Sequence, residues 1–290
     1  MRPGSMKKVA VVTDSVTSLP QKVVDKYDIH IIPVRITVEG KVYRDTAEDL
    51  PPEAISRLQK VSHMDTTPWP PEFYFEVYKE LSERANSVVH VVCFSQFTST
   101  ISLARAGAEM AQEAVSSFTV EVVDSETATM AQGFVALAAA RAAADGKSVG
   151  EVIEAANEVK SRVNSIWMLD SLNYLARTGR INRLAAWASA LLNVKPLVGL
   201  SQGKAHPLSL VRSSSQGIKG IIKIMRESVN VAEPLHVAVM EVEKPREAQE
   251  LVNMIKEQFQ PSEFYLVQFT PVMQIVAGSG ILGVAFYCGE

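Results

Sequence analysis

The chain has 290 residues, a net charge of −3 and a pI near 6.0. This acidic balance, without an arginine-rich block, argues against nucleic-acid binding, and 47% apolar residues suffice for the buried cores of two domains. The two cysteines, Cys93 and Cys288, cannot form a disulfide framework and indicate a reducing, cytoplasmic setting. Residues 1–5 are typical of an expression remnant before Met6, and no signal peptide is predicted after them.

Short apolar runs alternate with helical patterns through the first half of the chain. Strands are predicted at 8–12, 29–38, 41–44, 87–94 and 118–123. Helices are predicted at 19–27, 52–61, 73–84, 99–115 and 130–144. Pro33 places the second strand at a sheet edge. Strands and helices that alternate at these spacings are typical of a parallel α/β sheet.

The second half has a different rhythm. Helices are predicted at 149–163, 171–176, 182–192, 217–229 and 245–259. Strands are predicted at 195–200, 208–212, 236–242, 263–270 and 281–287. The uncharged run 264–289 is interpreted as two buried strands joined by a glycine turn, because Pro271 and several glycines make a membrane span implausible. We therefore expect an α/β, parallel-sheet, Rossmann-like domain at 6–160 and a smaller α+β domain at 161–290.

Three hydroxyl-rich stretches follow apolar runs or precede helices. They are Thr13-Asp14-Ser15, then Thr66-Thr67-Pro68, then the segment with Ser95, Thr98, Ser99 and Thr100. The carboxyl edge of a parallel sheet is where open α/β folds bind ligands, and helix N-termini favour anions. The stretches therefore predict a site that holds a carboxylate or phosphate. Local capping by the same hydroxyls is the alternative interpretation.

Other motifs give weaker signals. Arg180 lies in a basic turn that fits an anion or a partner protein, and Gly278-Ser279-Gly280 allows close backbone approach or forms a simple turn. No nucleotide-binding loop and no metal-ligand spacing occurs, so neither a cofactor nor a metal is expected. The alternative function is a serine-dependent hydrolase or phosphotransfer enzyme that uses Ser95 or Asp14 on a small anionic substrate. His63, which lies close in sequence to Thr66 and Thr67, is the candidate base.

Five short motifs stand in the order that is found in one known family. They are Thr13-Asp14-Ser15 with Leu19-Pro20, Val123-Asp124-Ser125 with Met130 and Gly133, Leu172-Asn173-Tyr174-Leu175, Gly179-Arg180-Ile181, and Lys195-Pro196. On these residues the chain resembles the DegV family of bacterial fatty-acid-binding proteins from about Lys8 to Tyr287.

This resemblance implies a non-catalytic protein that sequesters a long-chain fatty acid in a tunnel between two domains. The carboxylate would be held by Thr66 and Thr67 and by Ser95 with residues 98–100. Some members hand the fatty acid to a separate fatty acid kinase, which makes such a kinase a candidate partner and is compatible with transient membrane contact. The sequence departs from the family at Val276, where some members carry a histidine that helps to hold the head group.

Overall fold

The computed structural model describes residues 8–61, 65–172, 174–175, 194–201 and 203–290. Its strands are β1 (Ala10–Asp14), β2 (His30–Ile32), β3 (Arg35–Val38), β4 (Lys41–Arg44), β5 (Ser87–Val92), β6 (Thr119–Asp124), β7 (Asn164–Met168), β8 (Lys195–Ser201), β9 (Lys204–Val211), β10 (Leu235–Glu241), β11 (Glu263–Gln268) and β12 (Leu282–Cys288). Its helices are α1 (Gln21–Tyr27), α2 (Pro52–Leu58), α3 (Pro71–Ser82), α4 (Thr100–Ala114), α5 (Thr129–Ala144), α6 (Val149–Arg162), α7 (Ser214–Ser228), α8 (Pro245–Phe259) and α9 (Pro271–Ala277).

The first sheet is parallel throughout and has the order β2-β1-β5-β6. Its central strand β5 is buried at five of six positions, which accounts for a valine-rich sequence on both faces. The predicted strand 29–38 is broken at Pro33 and Val34. Its first part is the edge strand β2, and its second part pairs with β4 in a separate antiparallel ribbon.

The second sheet is mixed and has the order β11-β10-β12-β7-β8-β9. Only β10 and β11 run parallel, and the other pairs are antiparallel. The prediction of an α/β fold with a further α+β layer is confirmed. The predicted helix at 182–192 lies outside the described residues, and the division of the chain at residue 160 stays a prediction.

The interpretation of residues 264–289 as two strands joined by a glycine turn is wrong. β11 and β12 lie on opposite sides of β10, and helix α9 stands between them in sequence. Pro271 occupies the first turn of α9, where a missing backbone N–H costs nothing, and the apolar residues after it continue the helix. A run of apolar residues cannot by itself distinguish a short buried helix from a strand.

Helix α5 packs between the two sheets, with contacts to β1, β5 and β12. It is apolar around its circumference, and 11 of its 16 residues are buried, as expected for a helix enclosed on all sides. At its end Arg141 forms an ion pair with Glu263 of β11. Glu263 also accepts hydrogen bonds from the Tyr265 hydroxyl at 2.6 Å and contacts His236 Nδ1 at 2.7 Å. These contacts of Glu263 join helix α5, in the first half of the chain, to the second sheet.

Candidate functional site

A cavity of about 1060 Å³, its open mouth included, lies between the first sheet and the second. Its lining from the first half of the chain is Asp14, Val16, Ile32, Pro33, Val34, Arg35, Thr66, Pro68, Trp69, Tyr74, His90, Cys93, Phe97, Thr98, Thr100 and Ala128. Its lining from the second half is Trp167, Leu175, Val198, Ala205, Val272, Met273, Val276 and Ala277. Every polar lining residue belongs to the first half, and every lining residue of the second half is apolar.

The start of α4 supplies two of the polar groups. The Thr98 and Thr100 hydroxyls lie 2.8 Å apart, and the Thr100 backbone N–H donates to Thr98 Oγ1 at 3.3 Å. Ser99 occupies the N-cap position without a side-chain cap, and the positive end of the helix dipole favours an anion here. Burial raises the pKa of the Tyr74 phenol well above its usual range, while hydrogen bonds with the Thr100 side chain and the Trp69 backbone oppose this shift. These residues form a cluster of neutral donors.

Asp14 organises the loops around this cluster. Its Oδ1 accepts from the Val16 N–H at 3.1 Å, and its Oδ2 accepts from the Cys93 N–H at 3.0 Å and from Gln132 Nε2 at 3.0 Å. Burial raises the pKa of Asp14 to about 6 against the opposing effect of these hydrogen bonds. Because both oxygens are engaged by the protein, Asp14 orients the ends of β1 and β5 and is poorly placed to attack a substrate.

A second buried carboxylate connects helix α9 to the first half of the chain. Asp45 accepts from the Ser15 hydroxyl at 2.5 Å and from the Val272 N–H at 2.8 Å. Ser15 Oγ in turn accepts from the Val34 N–H at 3.0 Å. Burial raises the pKa of Asp45, and the Ser15 and Val272 hydrogen bonds oppose the shift. This network fixes the apolar helix opposite the polar loops.

The structure brings only some of the predicted site residues to the cavity. Thr66, Thr98 and Thr100 line it. Ser95 is exposed, and its N–H faces the Asp124 carboxylate at 3.3 Å. The predicted residues that are not in the lining are Thr67, Ser95, Ser99, Gly278, Ser279 and Gly280. Arg180 and His63 lie outside the described residues, so the ligand roles of all of these remain predictions.

Gly278 and Gly280 have a packing role that the sequence did not reveal. Both have positive φ, +93° and +74°. A Cβ at Gly278 would collide with the Tyr174 ring, and one at Gly280 would collide with the Asp170 carboxylate. Asp170 pairs with Lys195 and, at 3.4 Å, with Lys244. The glycines therefore let the end of α9 approach these side chains closely.

Sequence reasoning missed several polar or aromatic lining residues, among them Arg35, Trp69, Tyr74 and His90. His90 is fully buried, its Nδ1 lies 2.7 Å from the Tyr78 hydroxyl, and burial lowers its pKa to about 3, so it is neutral. The signal for Tyr74 and Tyr78 was the helical spacing of aromatic residues in α3, which is equally typical of a simple core face.

In the described part of the chain, no group of three or more His, Cys, Asp or Glu side chains could hold a metal ion. Within the same ranges, no helix has both the length and the apolar character that crossing a bilayer requires.

The chain matches the model of the DegV family, described as uncharacterised proteins, over residues 8–288. A DegV domain-containing protein of Caldanaerobacter subterraneus is 29% identical over 97% of this chain and 99% of its own length. The crystal structure of DegV from Bacillus subtilis, described as a fatty acid binding protein, is 28% identical with a TM-score of 0.84, covering 99% of this chain and 100% of that one. A DegV family structure from Thermus thermophilus shares the fold at 23% identity and a TM-score of 0.88 over 97% and 99% of the two chains. This protein therefore belongs to the DegV family.

Proposed function

We propose that this protein binds a long-chain fatty acid in the cavity and holds it without reacting with it. The observation that carries the proposal is the division of the lining, with polar groups from the first half facing an entirely apolar second half. The carboxylate would lie against Thr66, Thr98 and Thr100, and the acyl chain would lie along α9 and the second sheet. The description of the Bacillus subtilis relative as a fatty acid binding protein supports this assignment.

The energetics favour a long apolar ligand. Each buried methylene contributes about 0.8 kcal/mol, so the acyl chain supplies most of the affinity. Hydrogen bonds to an ionised oxygen contribute about 1.5–3 kcal/mol each, which is enough to orient the acid head.

A carrier is favoured over a catalyst by the character of the polar groups. The Thr98 and Thr100 hydroxyls bond to one another, and the oxygens of Asp14 are occupied by three N–H donors. A nucleophile needs a base within hydrogen-bond reach, and His90, which is the histidine of the lining, is paired with Tyr78. The predictions of a fatty acid kinase partner, transient membrane contact and a cytoplasmic location rest on the family resemblance and the composition.

The direct test is to extract the purified protein with organic solvent and to analyse the extract by mass spectrometry, followed by titration of delipidated protein with oleate. We expect one acyl chain per protein and saturable oleate binding. A protein that co-purifies with no acyl chain and does not bind oleate or palmitate would refute the proposal.

Two hydroxyl variants locate the head group. Thr100→Val removes a hydroxyl from the lining at nearly constant volume, and we expect oleate affinity to fall about tenfold, the equivalent of one charge-assisted hydrogen bond. Ser95→Ala removes the exposed hydroxyl that the sequence predicts as a ligand, and we expect a smaller fall. A larger fall in oleate affinity for Ser95→Ala than for Thr100→Val would show that the carboxylate lies near the end of β5 and not at the start of α4.

A further inference from the structure

Arg35 is the positively charged residue of the cavity lining, in which Asp14 is the acidic one. It begins β3, lines the cavity and is half-buried. Its Nε is fully buried without a hydrogen-bond partner among the described residues. No ion pair within 4.0 Å is formed by Arg35 with any described residue either. An arginine with a buried, unsatisfied N–H costs free energy unless another group completes its hydrogen bonding.

Asp65 is a carboxylate that interacts electrostatically with Arg35 without forming an ion pair with it within 4.0 Å. Asp65 is joined to the next residue on the same face of β3 by two backbone hydrogen bonds with Thr37, of 2.7 and 2.9 Å. The Asp65 side chain is occupied by Thr67, which donates through both its N–H, at 2.7 Å, and its hydroxyl. These hydrogen bonds lower the pKa of Asp65, and the charge of Arg35 adds a smaller effect in the same direction. The Asp65 carboxylate is therefore engaged by Thr67 and not by the Arg35 guanidinium.

Arg44 adds a second positive charge beside Arg35. It is the direct cross-strand neighbour of Arg35 in the β3–β4 ribbon. Both guanidinium groups approach the ring of Trp69, at 5.8 Å for Arg35 and 6.0 Å for Arg44. Like charges directly opposite each other destabilise a β-ribbon, and an anion between the ribbon and the cavity would remove this repulsion.

Trp69 lies between Arg35 and the cluster of neutral donors at the start of α4. It lines the cavity, donates from Nε1 to the Pro33 carbonyl at 2.7 Å and stacks on Phe73. The Phe73 ring meets the Tyr74 ring edge-on at a centroid distance of 6.0 Å, and Tyr74 and Thr100 both line the cavity. Arg35 and the threonines thus belong to one continuous surface of the cavity.

We propose that Arg35 is the cation that pairs with the ionised head group of the ligand, so that the site selects a carboxylate over an uncharged head on the same chain. This inference rests on the proposed binding of a fatty acid and deepens it by adding a residue that determines head-group specificity. Arg35 touches the ligand, whereas Arg44 lies outside the lining and contributes only to the local potential.

The test measures direct binding of radiolabelled oleic acid and oleyl alcohol, two ligands with the same chain and different heads, to the delipidated full-length protein. For Arg35→Gln we expect affinity for oleic acid to fall about tenfold, as for the loss of a charge-assisted hydrogen bond, and affinity for oleyl alcohol to stay within about twofold. Unchanged alcohol binding also shows that the variant is folded. Arg35→Lys should restore part of the preference for the acid, because it keeps the charge without the planar fork.

Arg44→Gln is the matched control, since it removes the same charge from the exposed neighbouring position. We expect it to change affinity for oleic acid by less than about threefold, the size of a solvent-exposed ion pair. The inference is overturned if Arg35→Gln keeps the preference for the acid, loses both ligands equally, or has the same effect as Arg44→Gln. If the wild-type protein binds neither ligand, the proposed function itself fails.

Discussion

The four-stranded and six-stranded sheets both face the cavity, but they differ in what they place there. The parallel sheet presents the carboxyl ends of its strands, where loops turn and expose N–H groups and hydroxyls. The mixed sheet presents the sides of β7, β8 and β9, together with helix α9, and these contribute only apolar residues. In the proposed binding mode, head-group selectivity therefore depends on the first half of the chain, while accommodation of the acyl chain depends on the packing of the second half.

The comparison also separates two kinds of buried polar group. Asp14 and Asp45 are buried in the first half and position other groups, because their oxygens accept from backbone and side-chain donors of the protein. Thr98, Thr100 and Arg35 are only half-buried and face the cavity. Groups of the first kind should affect stability when they are changed, and groups of the second kind should affect ligand affinity.

The largest effect is expected from placing a charge in the apolar wall. Met273 of α9 is half-buried and lines the cavity. Met273→Glu would put a carboxylate beside the acyl chain, and we expect oleate affinity to fall at least about 100-fold, because an unpaired charge in an apolar environment costs several kcal/mol. Titration with oleate measures the loss.

Met273→Leu is the control, since it nearly conserves side-chain volume. It should lower the free energy of unfolding by less than about 1.5 kcal/mol. Equal affinities of Met273→Glu and the wild-type protein would show that the acyl chain does not lie along α9. The assignment of head and tail ends to the two halves of the chain would then be wrong.

Much of the first sheet could be predicted from the sequence, because each strand is a continuous apolar run between turn residues. The run 87–94 contains β5, and Thr66, Thr98 and Thr100 of the hydroxyl-rich stretches line the cavity. Arg35 could not be predicted, because its position depends on the pairing of β3 with β4 and on the bridge between Thr37 and Asp65. These contacts join residues that are distant in sequence and leave no local pattern.

Helix α9 was missed for a different reason. Its seven residues are apolar enough for a buried strand and too few to show helical periodicity clearly. The role of Gly278 was also hidden, because a turn that approaches a ligand and a turn that approaches Tyr174 have the same sequence. In both places tertiary packing decides between alternatives that the local sequence allows.

A moderate effect on stability is expected at the end of α9. Gly278 has φ +93° and ψ 177°, a conformation that is essentially restricted to glycine, and a Cβ there would collide with Tyr174. Gly278→Ala should lower the free energy of unfolding by about 2–3 kcal/mol, from backbone strain and the steric clash together. Gly40→Ala is the control, since Gly40 also has positive φ, +78°, but open space around it, and should cost about 1 kcal/mol. Urea unfolding of both variants measures the difference, and equal losses would show that the contact with Tyr174 is unimportant.

The smallest effect tests the cluster that joins the two halves. Glu263 is partly buried; burial would raise its pKa, but the hydrogen bonds from His236, Tyr265 and Arg141 outweigh this and lower the pKa to about 2. A carboxyl group whose pKa is lower in the folded state stabilises the protein above its unfolded pKa of 4.5, and this contribution is lost as the pH falls towards 2. Glu263→Gln should therefore cost about 2 kcal/mol at pH 7, with a smaller cost below pH 4.5. Glu250→Gln, on the exposed face of α8, should cost less than about 0.5 kcal/mol at either pH. A pH-independent cost for Glu263→Gln would mean that the cluster stabilises the fold by packing and not by charge.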